Sequence, residues 1–307
     1  MPLSTYEKRA SSNLRRYLLP LFVPFLILSS PSVPASNGPE YGSPTDRIIY
    51  ISNVDGKSDI WSMRYDGSDK RKVKPLNIGN NYYWPSVSPD GKRILSTGFD
   101  SQTFIRVYDR ETQEEIRYRG PNFSSQQAWF PNSQDFVFIS TRDGGKQQIY
   151  KMGPFGAERL VTSDGWDTSP AISPNGRWLA FVRKGVEAAT GDVYVGGSDG
   201  RRIRQVTKSG DYYGATWSDD GHVLTSEIAG KGNICVVEVD VITGKKKSIT
   251  TPESGCKIDI NPIGKNGEIV FTRVDGYDKQ IFMKDERGRL FKLTSRGDNE
   301  EVTMANK

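Results

Sequence analysis

Five aromatic rings and a set of carboxylates recur at matched places along this chain. Tyr82, Ser124, Asp167, Tyr212, Gly255 and Asp298 stand 42 to 45 residues apart. The next positions give Tyr83, Ser125, Thr168, Tyr213, Cys256 and Asn299, and then Trp84, Gln126, Ser169, Gly214, Lys257 and Glu300. If a repeating fold brings these positions together, Tyr82, Tyr83, Trp84, Tyr212 and Tyr213 supply rigid anchors. Gln126, Asp167, Lys257, Asp298 and Glu300 then supply polar and charged partners, and such a mouth would hold a protein segment or a saccharide. The same carboxylates with Lys257 could also serve as the acid and base of a polysaccharide lyase. The competing reading leaves these side chains as packing between repeats, as Trp129, Trp178 and Trp217 at other phases are expected to be.

Other residues offer less. His222 is the one histidine and follows Gly221 in a turn, a solvated position rather than a catalytic one. No Gly-x-Ser-x-Gly elbow is present, and one His with two distant Cys makes no zinc ligand set. Asp219-Asp220, Glu238 and Asp240 could bind calcium, but carboxylates at turns and strand edges usually cap backbone N–H groups. Arg296-Gly297-Asp298 reads most simply as a turn. The residues therefore give no catalytic group, no cofactor site and no metal site. Cys235 and Cys256 could form a disulfide in an oxidising compartment. Their register, however, puts one in mid-strand and the other at the start of the next unit, beyond the ~7 Å that a disulfide tolerates, so two separate thiols are expected.

The elements that must carry these positions follow from a turn. Ser88-Pro89-Asp90-Gly91, Phe130-Pro131-Asn132-Ser133, Ser173-Pro174-Asn175-Gly176, Ser218-Asp219-Asp220-Gly221, Asn261-Pro262-Ile263-Gly264 and a degenerate Met304-Ala305-Asn306-Lys307 share the same period. Pro presets φ, Asp or Asn bonds the backbone locally, and Gly accepts positive φ, so this is hairpin chemistry. Continuous apolar runs follow it, as in Phe136–Ile139 and Trp178–Val182, and continuity means burial on both faces. A third strand carries pairs such as Ile60-Trp61 and Ile149-Tyr150 and leads into Asp66-Gly67 or Asp199-Gly200 turns. The fourth strand is polar, as in Lys245–Thr250, which suits an exposed sheet edge.

A period of about 43 residues built from four short strands predicts an all-β, six-bladed β-propeller of four-stranded antiparallel blades. The stretch from Ile48 to Ala305 holds six such units. Its first unit lacks a first strand, and Glu301–Met304 has the phase of a first strand with no unit after it. The C-terminal strand is therefore expected to complete the first blade and close the ring.

Residues 1–35 read as a secretory signal. Lys8, Arg9, Arg15 and Arg16 precede an apolar run from Tyr17 to Leu28, and Val33-Pro34-Ala35 suits cleavage before Ser36. Twelve apolar residues that include Pro20 and Pro24 are too few for a stable span. Residues 36–47 form a short N-terminal segment and 48–307 the propeller. The leader carries +3 of the formal net charge of +5, so the remainder has too little basic surface for nucleic acid.

The pattern Pro-x-x-Ser-Pro-Asp-Gly, an apolar strand, Gln-Ile-Tyr or Asp-Ile-Trp, then Leu-Thr or Val-Thr resembles the repeats of the TolB family. Pro85–Leu95, Pro170–Phe181 and Ser140–Thr162 carry the resemblance best. It extends over essentially the whole chain after the leader and is specific for the propeller. The resemblance implies a periplasmic or secreted monomer that binds another envelope or secreted protein, with a Pal-like lipoprotein as one partner. The N-terminal α/β domain of TolB finds no counterpart among the dozen residues before Ile48, so contacts made through it are not implied. Propeller lyases resemble seven-bladed rings with several His ligands, which this chain does not carry. The expectation is a protein-binding scaffold without enzymatic activity.

Overall fold

A computed structural model of the chain describes residues 47–54, 58–73, 82–120, 122–153, 156–161, 165–185, 188–229, 233–250, 259–263, 268–275 and 277–305. The expected leader at 1–35, residues 36–46, Gly255, Cys256 and Lys257 lie outside them, as do the side chain of Tyr82 and those of 259–263.

Every described element is a strand, and all pairings are antiparallel. The first unit is β1 (Arg47–Ser52), β2 (Asp59–Met63) and β3 (Arg71–Lys72). The second is β4 (Tyr82–Val87), β5 (Arg93–Phe99), β6 (Thr103–Asp109) and β7 (Glu115–Arg119), and the third β8 (Ser124–Trp129), β9 (Phe136–Ser140), β10 (Gln148–Gly153) and β11 (Gly156–Val161). The fourth comprises β12 (Trp166–Ile172), β13 (Trp178–Lys184), β14 (Gly191–Gly197) and β15 (Arg204–Gln205). The fifth has β16 (Tyr212–Trp217), β17 (His222–Ala229), β18 (Asn233–Asp240) and β19 (Lys246–Ser248), and the sixth β20 (Asp259–Ile263), β21 (Ile269–Asp275), β22 (Asp278–Lys284) and β23 (Leu290–Lys292). The last strand is β24 (Asn299–Ala305), which pairs with β1 from Arg47↔Ala305 to Ser52↔Asn299 and gives the sheet order β24-β1-β2-β3.

The Ser-Pro-Asp-Gly segments are the turns between first and second strands. Gly91 and Gly176 take φ of 72° and 74°, Ser88 Oγ donates to Asp90, and Asp90 Oδ1 accepts from Lys92 N at 3.0 Å. The second strands form the core, with β1 and β9 buried throughout, because each sheet is covered by its neighbours on both faces. Fourth strands are the most exposed, as with β15 and β19.

Three expectations are corrected. The fourth and fifth units do not form separate sheets: a bridge between Gly191 and Tyr212 joins them. The short β15 covers only Tyr194 and Val195 of β14, leaving the glycine end of that strand open to β16. In the sixth unit, Asn261-Pro262-Ile263 continues strand β20, with Ile263 paired to Ile269, because Ile replaces the Asp or Asn that would cap a turn there. Trp178 is 39% exposed, whereas Trp129 and Trp217 are buried. It is the first residue of β13, next to the turn and outside the sandwiched run Leu179–Val182.

Candidate partner-binding face

The first strands β4, β8, β12, β16, β20 and β24 contact one another in that order, and β24 contacts β4. The candidate residues among those described therefore sit at the starts of adjacent strands.

A shared backbone device shapes those starts. Pairing is regular at Tyr83↔Thr97, Ser125↔Ile139, Thr168↔Val182 and Tyr213↔Ser226 and then slips by one residue before Ser86, Ala128, Ala171 and Thr216. Trp84, Gln126, Ser169 and Gly214 occupy the slip with φ of 53°, 51°, 51° and 59°. Three of the four are not glycine, a conformation that costs on the order of 1–3 kcal/mol, so the surroundings must hold it. They do so by satisfying the backbone groups the bulge frees. Gln127 donates its amide to Trp84 O, Gln126 Oε1 accepts from Ser169 N at 2.7 Å, and the Thr225 hydroxyl lies 2.8 Å from Gly214 O. Gln126 thus ties one first strand to the next.

The candidates divide by environment. Tyr83 and Trp84 are half-buried with ring centroids 5.7 Å apart, and Tyr213 is half-buried on β16. Burial raises the Tyr213 phenol pKa, and the charge of Asp211 adds to the effect. Tyr212 is buried instead, its hydroxyl donating to Glu227 at 2.9 Å, while Lys246 pairs with Glu227 and lies over the Tyr212 ring. Asp167 is fully buried and takes a bidentate pair from Arg183 at 2.7 and 3.1 Å. Asp298 accepts from Lys279 N at 2.8 Å and Glu300 pairs with the Lys279 ammonium, which fastens the start of β24 to β22. Arg183, Glu227, Lys246 and Lys279 escaped the sequence reading because they lie on other strands, and only cross-strand register makes them neighbours.

His222 is the first residue of β17, directly after the turn, its side chain 40% exposed, with Nδ1 2.9 Å from Asp219 and Nε2 3.9 Å from Asp240. The hydrogen bond to Asp219 raises its pKa above 6.5; burial opposes it, and the charges of Asp219, Glu238 and Asp240 add to the rise. A raised folded-state pKa adds stability that is complete below the unfolded value near 6.5 and is lost as pH rises through the folded value. The His222 contribution to the melting temperature should therefore decline as pH rises above about 6.5, and His222→Gln should remove that part of the pH slope. An identical slope in the variant would contradict this. Among the described residues, no three His, Cys, Asp or Glu side chains cluster to hold a metal. Cys235 is buried on β18.

Comparison with known proteins gives a consistent result. The family model described as the TolB β-propeller domain matches residues 85–303. A TolB homolog from Chlorobium chlorochromatii is 31% identical over 139 residues, which is 44% of this chain and 31% of the relative. A tricorn protease from Thermoplasma volcanium is 26% identical over 229 residues, 70% of this chain but 21% of the protease. The chain thus matches about a third or less of the length of these relatives. Among solved structures, TolB from Acinetobacter baumannii superimposes with a TM-score of 0.69 at 19% identity, over 85% of this chain and 67% of that one.

Proposed function

Because the chain belongs to the TolB β-propeller family, we propose that it is an exported six-bladed propeller, closed by β24, that binds another protein of the cell envelope through the starts of its first strands. The reading of closure is supported by the β24–β1 pairing and by the return contact from β24 to β4. Export rests on the expected leader at 1–35, which supports a periplasmic or secreted location, with 36–47 as a short segment ahead of a propeller read as a monomer. A Pal-like lipoprotein is the partner class implied by the family resemblance, and a role beside a Tol-Pal type system follows from it.

The observation that carries the binding reading is that half-buried aromatics stand at corresponding strand starts, Tyr83 and Trp84 on β4 and Tyr213 on β16. Partly exposed aromatics on rigid strands are the anchors that protein interfaces use. Tyr212 and Asp167 contribute by holding the strand starts in place, and Tyr82, Gln126, Lys257, Asp298 and Glu300 complete the proposed rim. Purified chain used as bait on envelope extract should retain one dominant protein, and Tyr83→Ala combined with Tyr213→Ala should reduce retention at least tenfold at unchanged melting temperature. Equal retention by the double variant would refute the site. Binding to an array of acidic glycans in place of any protein would move the assignment to a carbohydrate-binding or lyase propeller.

A further inference from the structure

In the fourth unit, Asp167 pairs across the ladder with Arg183. The Arg183 guanidinium lies 5.2 Å from the Phe181 ring centroid and 4.8 Å from that of Tyr194, with the Asp167 carboxylate closing the cluster. The third unit builds the same seat without the acid. Ser124 pairs with Ser140 where Asp167 pairs with Arg183, and Phe138 pairs with Tyr150 as Phe181 does with Tyr194. Arg142, two residues beyond Ser140, folds its guanidinium back over these rings, 5.2 Å from Phe138 and 4.7 Å from Tyr150.

Its polar contacts there are hydroxyls. Arg142 Nε donates to Ser140 Oγ at 3.2 Å, and Ser124 Oγ lies 3.1 Å from Ser140 Oγ, both serines being fully buried. Among the described residues no carboxylate forms an ion pair with Arg142, although its charge acts on the adjacent Asp143. The adjacent Asp143 is taken by Tyr150 OH at 2.6 Å and by Arg159, and the nearby Arg119 is held by Asp100. A cavity of about 170 Å³ opens at this place, walled by Ile105, Tyr118, Met152 and Ala157 together with Ser124 and Arg142.

We propose that this cavity is a carboxylate-binding pocket which receives a glutamate or aspartate side chain of a protein partner, with Arg142 as the charged contact. The repeat supplies the reason: one unit satisfies its stacked guanidinium internally, and the next leaves a space of the right kind beside an equivalent guanidinium. A carboxylate entering it regains the charge-assisted hydrogen bonds that Asp167 gives Arg183, and the apolar walls fit the methylenes of an acidic side chain. The volume is below the roughly 300–1,000 Å³ of small-molecule sites, which favours one side chain over a sugar ring.

The choice of a protein ligand rests on the protein-binding reading above. The pocket itself does not use Tyr83 or Tyr213, so the Tyr83→Ala and Tyr213→Ala variant should keep it, and failure of either site is visible separately. Titration of the purified chain with the capped peptide acetyl-Gly-Glu-Gly-amide should shift the Arg142 Nε–H resonance saturably, in the millimolar range. The peptide with Gln in place of Glu should bind at least tenfold more weakly. Ser124→Asp, which supplies the missing acid from within, should abolish peptide binding without lowering the melting temperature. Arg142→Gln should weaken it at least tenfold, and tests the pocket even if Ser124→Asp disturbs the buried strand. Absence of a saturable shift, equal binding of the Glu and Gln peptides, full binding by Arg142→Gln, or saturable binding of galacturonate but not of the peptide would each overturn the proposal.

Discussion

Removal of residues 299–307 should lower the melting temperature by about 10–20 °C, or prevent folding at 37 °C. Strand β24 is the sheet partner of β1 on the side away from β2, and β1 is buried at every residue. Its loss strands several backbone hydrogen bonds, at about 1 kcal/mol each, and removes the buried Val302, worth about 2 kcal/mol. The link from Asn53 to Asp298, with N–H to carbonyl at 3.1 Å and a second bond at 2.7 Å, would also lose its anchored neighbour. The sum is on the order of 5 kcal/mol, comparable to the whole stability of many domains. Thermal melting followed by circular dichroism checks it, and an unchanged curve would mean that β1 does not depend on the C-terminal strand.

Asp167→Ala should cost about 3 kcal/mol and lower the melting temperature by about 6–12 °C, because it leaves a stacked guanidinium with no acid beside it. Asp167 is fully buried and the Arg183 side chain only 22% exposed, so solvent screens the pair little. Replacing both partners, with Asp167→Leu and Arg183→Met, should recover most of the loss, since a buried ion pair is often no more stabilising than apolar side chains of similar size. The experiment also separates two roles. If Asp167 served the partner directly, Asp167→Ala would lose binding at full stability; a full-strength melting curve would contradict the structural role.

Much of this architecture is legible in the chain because single residues there have single uses. Gly91 and Gly176 sit at positive φ in turns, and Asp90 and Asn175 bond the backbone two residues on, so the period could be counted from these residues. The runs of the second strands were equally legible, since a sandwiched strand has no wet face to interrupt its hydrophobicity. Trp178 shows where this fails: composition does not mark which end of an apolar run projects beyond the neighbouring sheet. The union of the fourth and fifth sheets hangs on one bridge at Gly191, a detail below any pattern in the sequence.

The candidate face was half legible. Aligning the repeats gave the residues at the strand starts, but not their partners, which lie elsewhere in the sheet: Arg183 is 16 residues from Asp167, Glu227 15 from Tyr212 and Lys279 21 from Glu300. Those partners decide how each candidate side chain is held. Tyr212 and Asp167 are buried in internal contacts, whereas Tyr83, Trp84 and Tyr213 are half-buried. The bulge residues at positive φ could not be foreseen either, since Trp84, Gln126 and Ser169 have no preference for that conformation and are held there by surrounding hydrogen bonds.

The central claim is that a protein is held at the starts of the first strands, and site-specific photo-crosslinking in intact cells tests it most directly. A photoreactive phenylalanine analogue at Tyr83 should give one discrete protein adduct. The same group at Ile116, which is 55% exposed on the outer strand β7, should give none. Adducts of equal yield at both positions, or no adduct at Tyr83 from a folded and exported chain, would contradict it.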